Sequence, residues 1–191
     1  VLFRSVANMK LLLITLTVLQ SLLATLEQKT LLADFSITIA GQQAQPMTYT
    51  GDLAMHGKQF TLSMFAIEAA YDGNTLYIYS EDTEELSLST PTNQELLQTN
   101  PFLYAQALLP ICQYAEQVVG SETRITLTPN DQTAGIEQFI LHVNTTTLLP
   151  TAIEIHESGN TTTSLRLIDA RFTTQTPTFI LEKEGAFIND L

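Results

Sequence analysis

Three histidines and a few clustered acids are the residues of this chain that could do acid–base or metal chemistry. His56 stands beside a predicted turn, whereas His142 and His156 occupy polar positions of predicted strands, as solvated surface histidines do. No two histidines have the HExxH spacing, and neither GxSxG nor GxxxxGK[ST] occurs. The sequence therefore predicts no catalytic residue, no metal site and no cofactor.

The remaining reactive side chains favour the same interpretation. Asp82, Glu84 and Glu85 lie in a polar stretch beside a predicted strand, and a solvated turn explains them better than a paired general acid and base. Cys112 is the only cysteine, which excludes an intrachain disulfide and a cysteine-based zinc site. We predict a small buried residue there. The alternative is a hydrolase with an unrecognised site. The sequence disfavours it, because no nucleophile is paired with a base.

Composition and charge exclude other classes of protein. The chain has 191 residues, of which 45% are hydrophobic, a size that suits one domain with a sizeable core. It carries 8 Lys and Arg against 20 Asp and Glu, a formal net charge of -12. Nucleic acid is excluded as a partner, because the phosphate backbone is held by clustered basic side chains that this chain lacks.

The first 24 residues differ from the rest. They contain two basic residues and no acid, and Met9-Lys10 precedes the mostly apolar run 11–19. A charged start and a short apolar run are typical of a secretory signal, and the run is too short to span a bilayer. We therefore predict an export segment over 1–24 and a single domain over 25–191. The alternative is a retained amphipathic helix, since four leucines recur there at helical spacing: Leu19, Leu22, Leu23 and Leu26.

Beyond Leu31 the apolar period changes to two, which predicts half-buried antiparallel strands. The alternating runs are 35–39, 60–64, 86–89, 125–128, 153–156 and 165–167. Residues that tolerate turns separate them, as in 56–58, 72–74 and 158–160. The order reads as a meander, and the absence of βαβ alternation argues against a nucleotide-binding fold.

Helical patterns interrupt the strands once. Thr92 and Glu95 have the spacing of a capping box, and a second helical piece follows over 101–109 before Pro110. An apolar sheet face needs a cover, and these pieces with the N-terminal helix are the candidates. We predict a mainly β fold with α elements: a curved antiparallel sheet with helices across its concave side. Such a face encloses either an apolar binding cavity or an ordinary filled core.

Several stretches of the chain resemble a known family. They are Leu31 to Ile39, Tyr49 to Met55, Lys58 to Phe60, the hairpin Tyr71 to Tyr79, Ser89 to Leu96, Asn100 to Phe102, Thr178 to Leu181 and Phe187 to Leu191. In order and spacing they resemble the LolA-like family of periplasmic outer-membrane lipoprotein carriers, in its Bacteroidetes-type version. The hairpin segment Asp72 to Leu76 is the most specific of these motifs. The resemblance spans the chain from about Val18 onward.

The resemblance implies an incomplete, unclosed β-barrel with helices over an apolar cavity. It implies a soluble periplasmic protein that accepts acyl chains of lipoproteins from an inner-membrane release complex and delivers them to an outer-membrane acceptor, as a monomer. The candidate ligand-binding positions are Leu53, Met55, Phe60, Leu62, Met64, Phe102 and Leu103, with Tyr77 and Tyr79 at the mouth. Met55 and Met64 suit varied acyl shapes, because methionine repacks readily.

One departure from the family pattern stands out. Ala54 takes the place of a tryptophan, and the arginine that helps to hold the family's lid closed is missing; Lys58 lies nearby but lacks the planar fork of arginine. The sequence therefore departs from the family pattern at the residues of the lid latch. The alternative function on the same fold is a lipid- or protein-sensing interaction module that does not transport.

Overall fold

The computed structural model describes residues 17–41, 45–92, 95–96, 99–131 and 135–190. Within these ranges the chain forms the α-helices α1 (Val18–Leu26) and α2 (Pro101–Leu108), a helical piece that includes residues 95, 96 and 99, and a 3-10 turn at Leu109–Ile111. The strands are β1 (Thr30–Ala40), β2 (Met47–His56), β3 (Gln59–Met64), β4 (Ile67–Tyr71), β5 (Leu76–Ser80), β6 (Glu85–Ser89), β7 (Cys112–Val119), β8 (Glu122–Pro129), β9 (Ile136–Asn144), β10 (Pro150–Glu157), β11 (Thr161–Thr173) and β12 (Phe187–Asp190).

The strands of the described residues form one sheet in the order β12-β6-β5-β4-β3-β2-β1-β11-β10-β9-β8-β7. Its two end strands, β12 and β7, do not pair with each other, so the sheet is not closed. All neighbouring pairs are antiparallel except β12 with β6, which is parallel. The predicted fold class, a mainly β protein built on an unclosed antiparallel barrel with helices on its concave side, is confirmed.

The predicted meander is present in two runs of strands, β1 to β6 and β7 to β11, in which each strand pairs with the next one along the chain. The prediction did not include the pairings that join these runs. Tight turns join β2 to β3 and β4 to β5, where Gly57 has a φ of 56° and Gly73 a φ of 105°. Glycine is favoured at both positions because a Cβ is strained there. Two pairings are not sequential: β1 pairs with β11, and β12 pairs with β6. Local patterns do not reveal such long-range contacts.

Both helices begin at polar caps. Thr17 and Gln20 form a reciprocal capping box at α1, and the buried residues Leu19, Leu22 and Leu26 follow at helical spacing. Asn100 caps α2, whose first residue is Pro101. The predicted export segment 1–24 overlaps α1; residues 1–16 lie outside the described residues, and export stays a prediction.

The predicted capping box between the sheet and α2 is also present. The Thr92 backbone N–H donates to the Glu95 carboxylate at 2.7 Å, and the Glu95 backbone N–H donates to Thr92 Oγ1 at 3.3 Å. Residues 93–94 and 97–98 lie outside the described residues. Pro110, predicted to end the following helix, falls in the 3-10 turn directly after α2.

The core lies on the concave face beneath the helices, where α1 and α2 both pack against β8. Its fully buried side chains include Ile125, Leu127, Phe139 and Leu141. No helix of the described ranges is long and apolar enough to cross a membrane.

Candidate ligand cavity

The concave face encloses a cavity of about 680 Å³, within the usual size range of small-molecule sites. Its wall is formed by β1 to β4, by β9 to β11 and by the start of α2. The lining residues are Phe35, Ile37, Leu53, Met55, Phe60, Thr61, Leu62, Met64, Ala69, Thr99, Asn100, Pro101, Phe102, Tyr104, Gly135, Ile136, Ile153, Ile155, Glu157, Thr163 and Leu165. Most of these side chains are apolar, so the cavity suits a hydrocarbon chain.

Strand register aligns one wall of the cavity. Leu53 of β2 lies opposite Leu62 of β3, and Leu62 lies opposite Ala69 of β4. Side chains at alternate positions share one face of a sheet, so these residues form a continuous apolar row. Leu53 and Leu62 are only half-buried, although they belong to the core-facing side. The row therefore borders open space.

Gly51 makes room for an aromatic ring at this wall. A Cβ placed on Gly51 would lie 2.7 Å from Phe35 Cζ and 2.0 Å from the Ser63 carbonyl oxygen. Both distances are shorter than any tolerated contact. The absence of a side chain at this position lets the Phe35 ring lie across β2 as part of the cavity wall.

The start of α2 closes the side of the cavity facing the helices. Asn100 is 2% exposed, and its Oδ1 accepts hydrogen bonds from the backbone N–H groups of Phe102 and Leu103 at 3.0 and 3.2 Å. Its Nδ2 lies 3.2 Å from Met55 Sδ across the cavity wall. Asn100 thus caps the helix and fixes it to β2, which places Phe102 and Tyr104 against the cavity.

Polar groups are few on the wall and include one carboxylate. Glu157 ends β10, and its Cα lies opposite Ile136 of β9. Tyr104 contacts Phe139 edge-on, with ring centroids 6.1 Å apart. Burial is the main cause that raises the pKa of Tyr104, followed by the charges of Cys112 and Glu157. Tyr104 and Glu157 thus supply polar groups to a mainly apolar wall.

Six of the nine predicted binding residues line the cavity: Leu53, Met55, Phe60, Leu62, Met64 and Phe102. Leu103 is not among the lining residues. It lies with Leu23 and Leu26 at a smaller space between the two helices, because neighbouring residues of a helix point about 100° apart. That the six residues bind a ligand stays a prediction.

Tyr77 and Tyr79 lie away from the cavity, contrary to their predicted place at its mouth. They alternate along β5 with the core residue Leu76, so they point to the opposite face of the sheet. The Tyr77 hydroxyl donates to Asp72 Oδ2 at 3.1 Å, and Lys183 Nζ lies 4.7 Å from the Tyr79 ring centroid. The sequence did not determine which face of the sheet each residue of β5 occupies, and the two tyrosines occupy the face opposite the cavity.

The wall formed by β9 to β11 was missed by sequence reasoning. Ile153, Ile155 and Leu165 stood in predicted strands, yet nothing local indicated that these strands face β2 and β3 across a cavity. The pairing of β1 with β11 brings Leu165 opposite Ile37 and so joins the two walls. The alternation of apolar residues in 153–156 was the available signal.

The residues considered for chemistry lie elsewhere. His142 and His156 lie beside Glu154 at nitrogen–oxygen distances of 3.5 and 3.4 Å, and none of the three histidines lines the cavity. Cys112 is half-buried, and burial raises the pKa of its thiol. In the ranges described above, no group of three His, Cys, Asp or Glu residues could hold a metal ion. Lys58 is exposed in the turn between β2 and β3.

No protein-family model matches this chain, and no curated protein matches it. Solved structures do match. An uncharacterized conserved protein from Thermus thermophilus aligns with a TM-score of 0.61 at 9% identity, covering 90% of this chain and 98% of that one. A LolA superfamily protein from Nitrosomonas europaea aligns at 0.42 and 11%, covering 85% and 96%. LprF from Mycobacterium bovis aligns at 0.46 and 11%, covering 86% and 94%.

At these identities the matches concern the fold alone. The assignment of the fold rests on the first match and on the strand order, an open antiparallel sheet with helices on its concave face. The chain therefore has the fold that its sequence indicated, an incomplete and unclosed antiparallel β-barrel with helices on its concave face.

Proposed function

We propose that this protein is a periplasmic carrier that shields the acyl chains of lipoproteins in its cavity and delivers them to the outer membrane. The observation that carries the proposal is the apolar cavity of about 680 Å³ on the concave face. Its acceptor at the outer membrane and its donor at the inner membrane follow from the family resemblance of the sequence. Binding and shielding, rather than catalysis, are its proposed activity.

Transfer energetics support a role in shielding lipid. Each methylene moved from water into an apolar site contributes about 0.8 kcal/mol, before the cost of ordering the chain. The half-buried side chains Leu53, Leu62 and Met64 would gain cover from an acyl chain. Met64 and Met55 adapt to chains of different shape, because an unbranched thioether repacks easily.

Release of the cargo must come from movement of the cover, because the proposal includes no nucleotide. Helix α2 is short and is fixed to β2 through Asn100 and Met55. A small shift of α2 would open or close the cavity between two states of similar free energy. We expect cargo to favour the open state and the empty protein to favour the closed one.

A binding assay with a cavity-blocking variant tests the proposal. The protein is titrated with a fluorescently labelled diacylated lipopeptide, and the bound fraction is followed by anisotropy. Leu62→Trp places an indole in the cavity and should weaken binding at least tenfold. Ile168→Trp, at a β11 position that is 42% exposed and absent from the lining, is the matched control and should bind like the native chain.

Two measurements complete this test. Since the chain contains no tryptophan, the emission of each introduced indole reports whether it is buried. Full-length protein purified from cells that express a tagged lipoprotein is then analysed by mass spectrometry for acylated cargo. A native chain that neither binds the lipopeptide nor copurifies with acylated material contradicts the proposal.

A protein-sensing module is the second candidate, favoured by one exposed edge. Within the described residues β7 pairs only with β8, and Val118 and Val119 near its end are 66% and 56% exposed. An open strand edge can accept a further strand from a protein partner.

Transfer between vesicles separates the two candidates. A carrier should move the labelled lipopeptide from donor to acceptor vesicles, and Leu62→Trp should abolish that transfer. A sensor should bind its ligand without accelerating transfer. Val118→Lys should impair a sensor and leave a carrier unchanged, because edge lysines block strand addition.

A further inference from the structure

Glu157 is the one charged residue among those that line the cavity in the described part of the chain. Among the described residues, no lysine, arginine or histidine lines the cavity and no ion pair includes Glu157. Glu157 is half-exposed, whereas Ile136 opposite it on β9 is 8% exposed. A single negative charge thus borders an otherwise apolar space.

This charge divides the cavity into two parts. An acyl tail packed over Glu157 would remove water from an ionised carboxylate without offering a hydrogen bond, which is costly. The tail therefore belongs against the apolar row of β2 and β3. The polar end of the ligand then lies near Glu157, and Tyr104 and Thr163 are further polar side chains of the wall.

We propose that Glu157 is a specificity-determining residue that selects acyl ligands with a cationic group next to the chain and rejects anionic ones. The inference rests on the proposed acyl-binding function and names the ligand class more closely. An ammonium group beside the carboxylate gains attraction in a partly desolvated setting, and a ligand carboxylate at the same place is repelled.

The net negative charge of the protein also favours cationic ligands, so its effect must be distinguished from that of Glu157. The chain carries a net charge of -12, which attracts cations to the whole surface. At about 0.15 M salt the screening length is about 8 Å, so distant charges contribute little there. Glu137 offers a matched control, since it is an exposed carboxylate next to Ile136 that does not line the cavity.

The experiment compares two ligands with the same twelve-carbon chain. Dodecylamine and lauric acid, each below its micellar concentration at neutral pH, displace an acyl probe that carries a neutral fluorophore. The native chain should prefer the amine roughly tenfold. Glu157→Gln should bring the ratio close to one, Glu157→Lys should invert it, and Glu137→Gln should keep the native ratio.

The possible outcomes distinguish a failure of the charge selectivity from a failure of acyl binding. Displacement by both ligands with equal affinity, unchanged in Glu157→Gln, overturns the selectivity and leaves acyl binding intact. A native preference that Glu157→Gln and Glu137→Gln reduce alike also overturns it, because general charge would then be the cause. If neither ligand nor the neutral probe binds, the acyl-binding function and this inference both fail.

Discussion

Two regions of the same sheet share one sequence pattern and differ in what covers it. In β8 and β9, under the helices, Ile125, Leu127, Phe139 and Leu141 are fully buried. In β2 and β3, Leu53 and Leu62 alternate in the same way but remain half-buried beside the cavity. We call the cluster of Ile125, Leu127, Phe139 and Leu141 the filled region, and the cavity-facing positions of β2 to β4 the hollow region.

The two regions show that apolar alternation specifies which face of a sheet is apolar. It does not specify what packs against that face. A face becomes core when another element packs on it, as α1 and α2 do on β8. Where an apolar side chain is left partly uncovered, as at Leu53 and Leu62, the same apolar face borders a cavity that a ligand can fill. Substitutions should therefore cost stability in the filled region and ligand affinity in the hollow one.

The largest expected effect is a truncation in the filled region. Phe139→Ala should lower the free energy of unfolding by about 3–5 kcal/mol, because it leaves a void under Tyr104. Leu62→Ala in the hollow region should cost only about 1 kcal/mol, since its side chain already borders open space. Urea unfolding followed by circular dichroism measures both. Equal losses would show that the two regions are packed alike.

A smaller loss is expected at Gly51, where the hollow region has no room for a side chain. Gly51→Ala should destabilise the protein by about 1–3 kcal/mol, because the new methyl would meet the Ser63 carbonyl oxygen and the Phe35 ring. Gly41→Ala is the control, since the nearest atom to its Cβ lies 3.9 Å away. If both variants unfold at the same urea concentration, the close approach of Phe35 to β2 is wrong.

Asn100 joins the two regions, because it caps α2 and contacts β2. Asn100→Ala should cost about 1–2 kcal/mol through loss of the cap. It should also speed hydrogen exchange in α2 and weaken lipopeptide binding. Asn100→Ser retains an accepting oxygen and should recover part of the stability. Native exchange rates in the alanine variant would mean that α2 does not depend on this cap.

The smallest effect concerns the hairpin turn that holds β4 to β5. Burial alone would raise the pKa of Asp72, but hydrogen bonds from the backbone N–H groups of Thr75 and Asn74 and from the Tyr77 hydroxyl lower it overall. A lowered pKa in the folded state adds stability above the ordinary value of 3.8, and this stability is lost as the pH falls through the lowered pKa.

Asp72→Ala should therefore reduce the free energy of unfolding by about 1 kcal/mol at neutral pH. Its difference from the native chain should shrink in acid. Asp52→Asn removes the same charge from an exposed position of β2 and is the control. Urea unfolding at neutral and acid pH measures the change. A difference that stays constant with pH would contradict the role of the ionised carboxylate.

Much of the fold was predictable because it depends on local patterns. The alternation in 35–39, 60–64 and 125–128 placed strands correctly, and Thr92 with Glu95 formed the expected capping box. In the cavity, the strand positions of Leu53, Leu62 and Met64 followed from the same alternation. The predicted position of Tyr77 and Tyr79 at the cavity mouth was wrong, because a shift of one residue along a strand moves a side chain to the other face.

The period of the strands, the turns at Gly57 and Gly73 and the capping box of Thr92 with Glu95 follow from the amino-acid sequence, since each depends on neighbours along the chain. Only the tertiary structure decided that β1 pairs with β11, that α1 and α2 cover β8, and that Glu157 borders the cavity. These contacts join residues far apart in the chain, and their geometry depends on how the whole sheet curves.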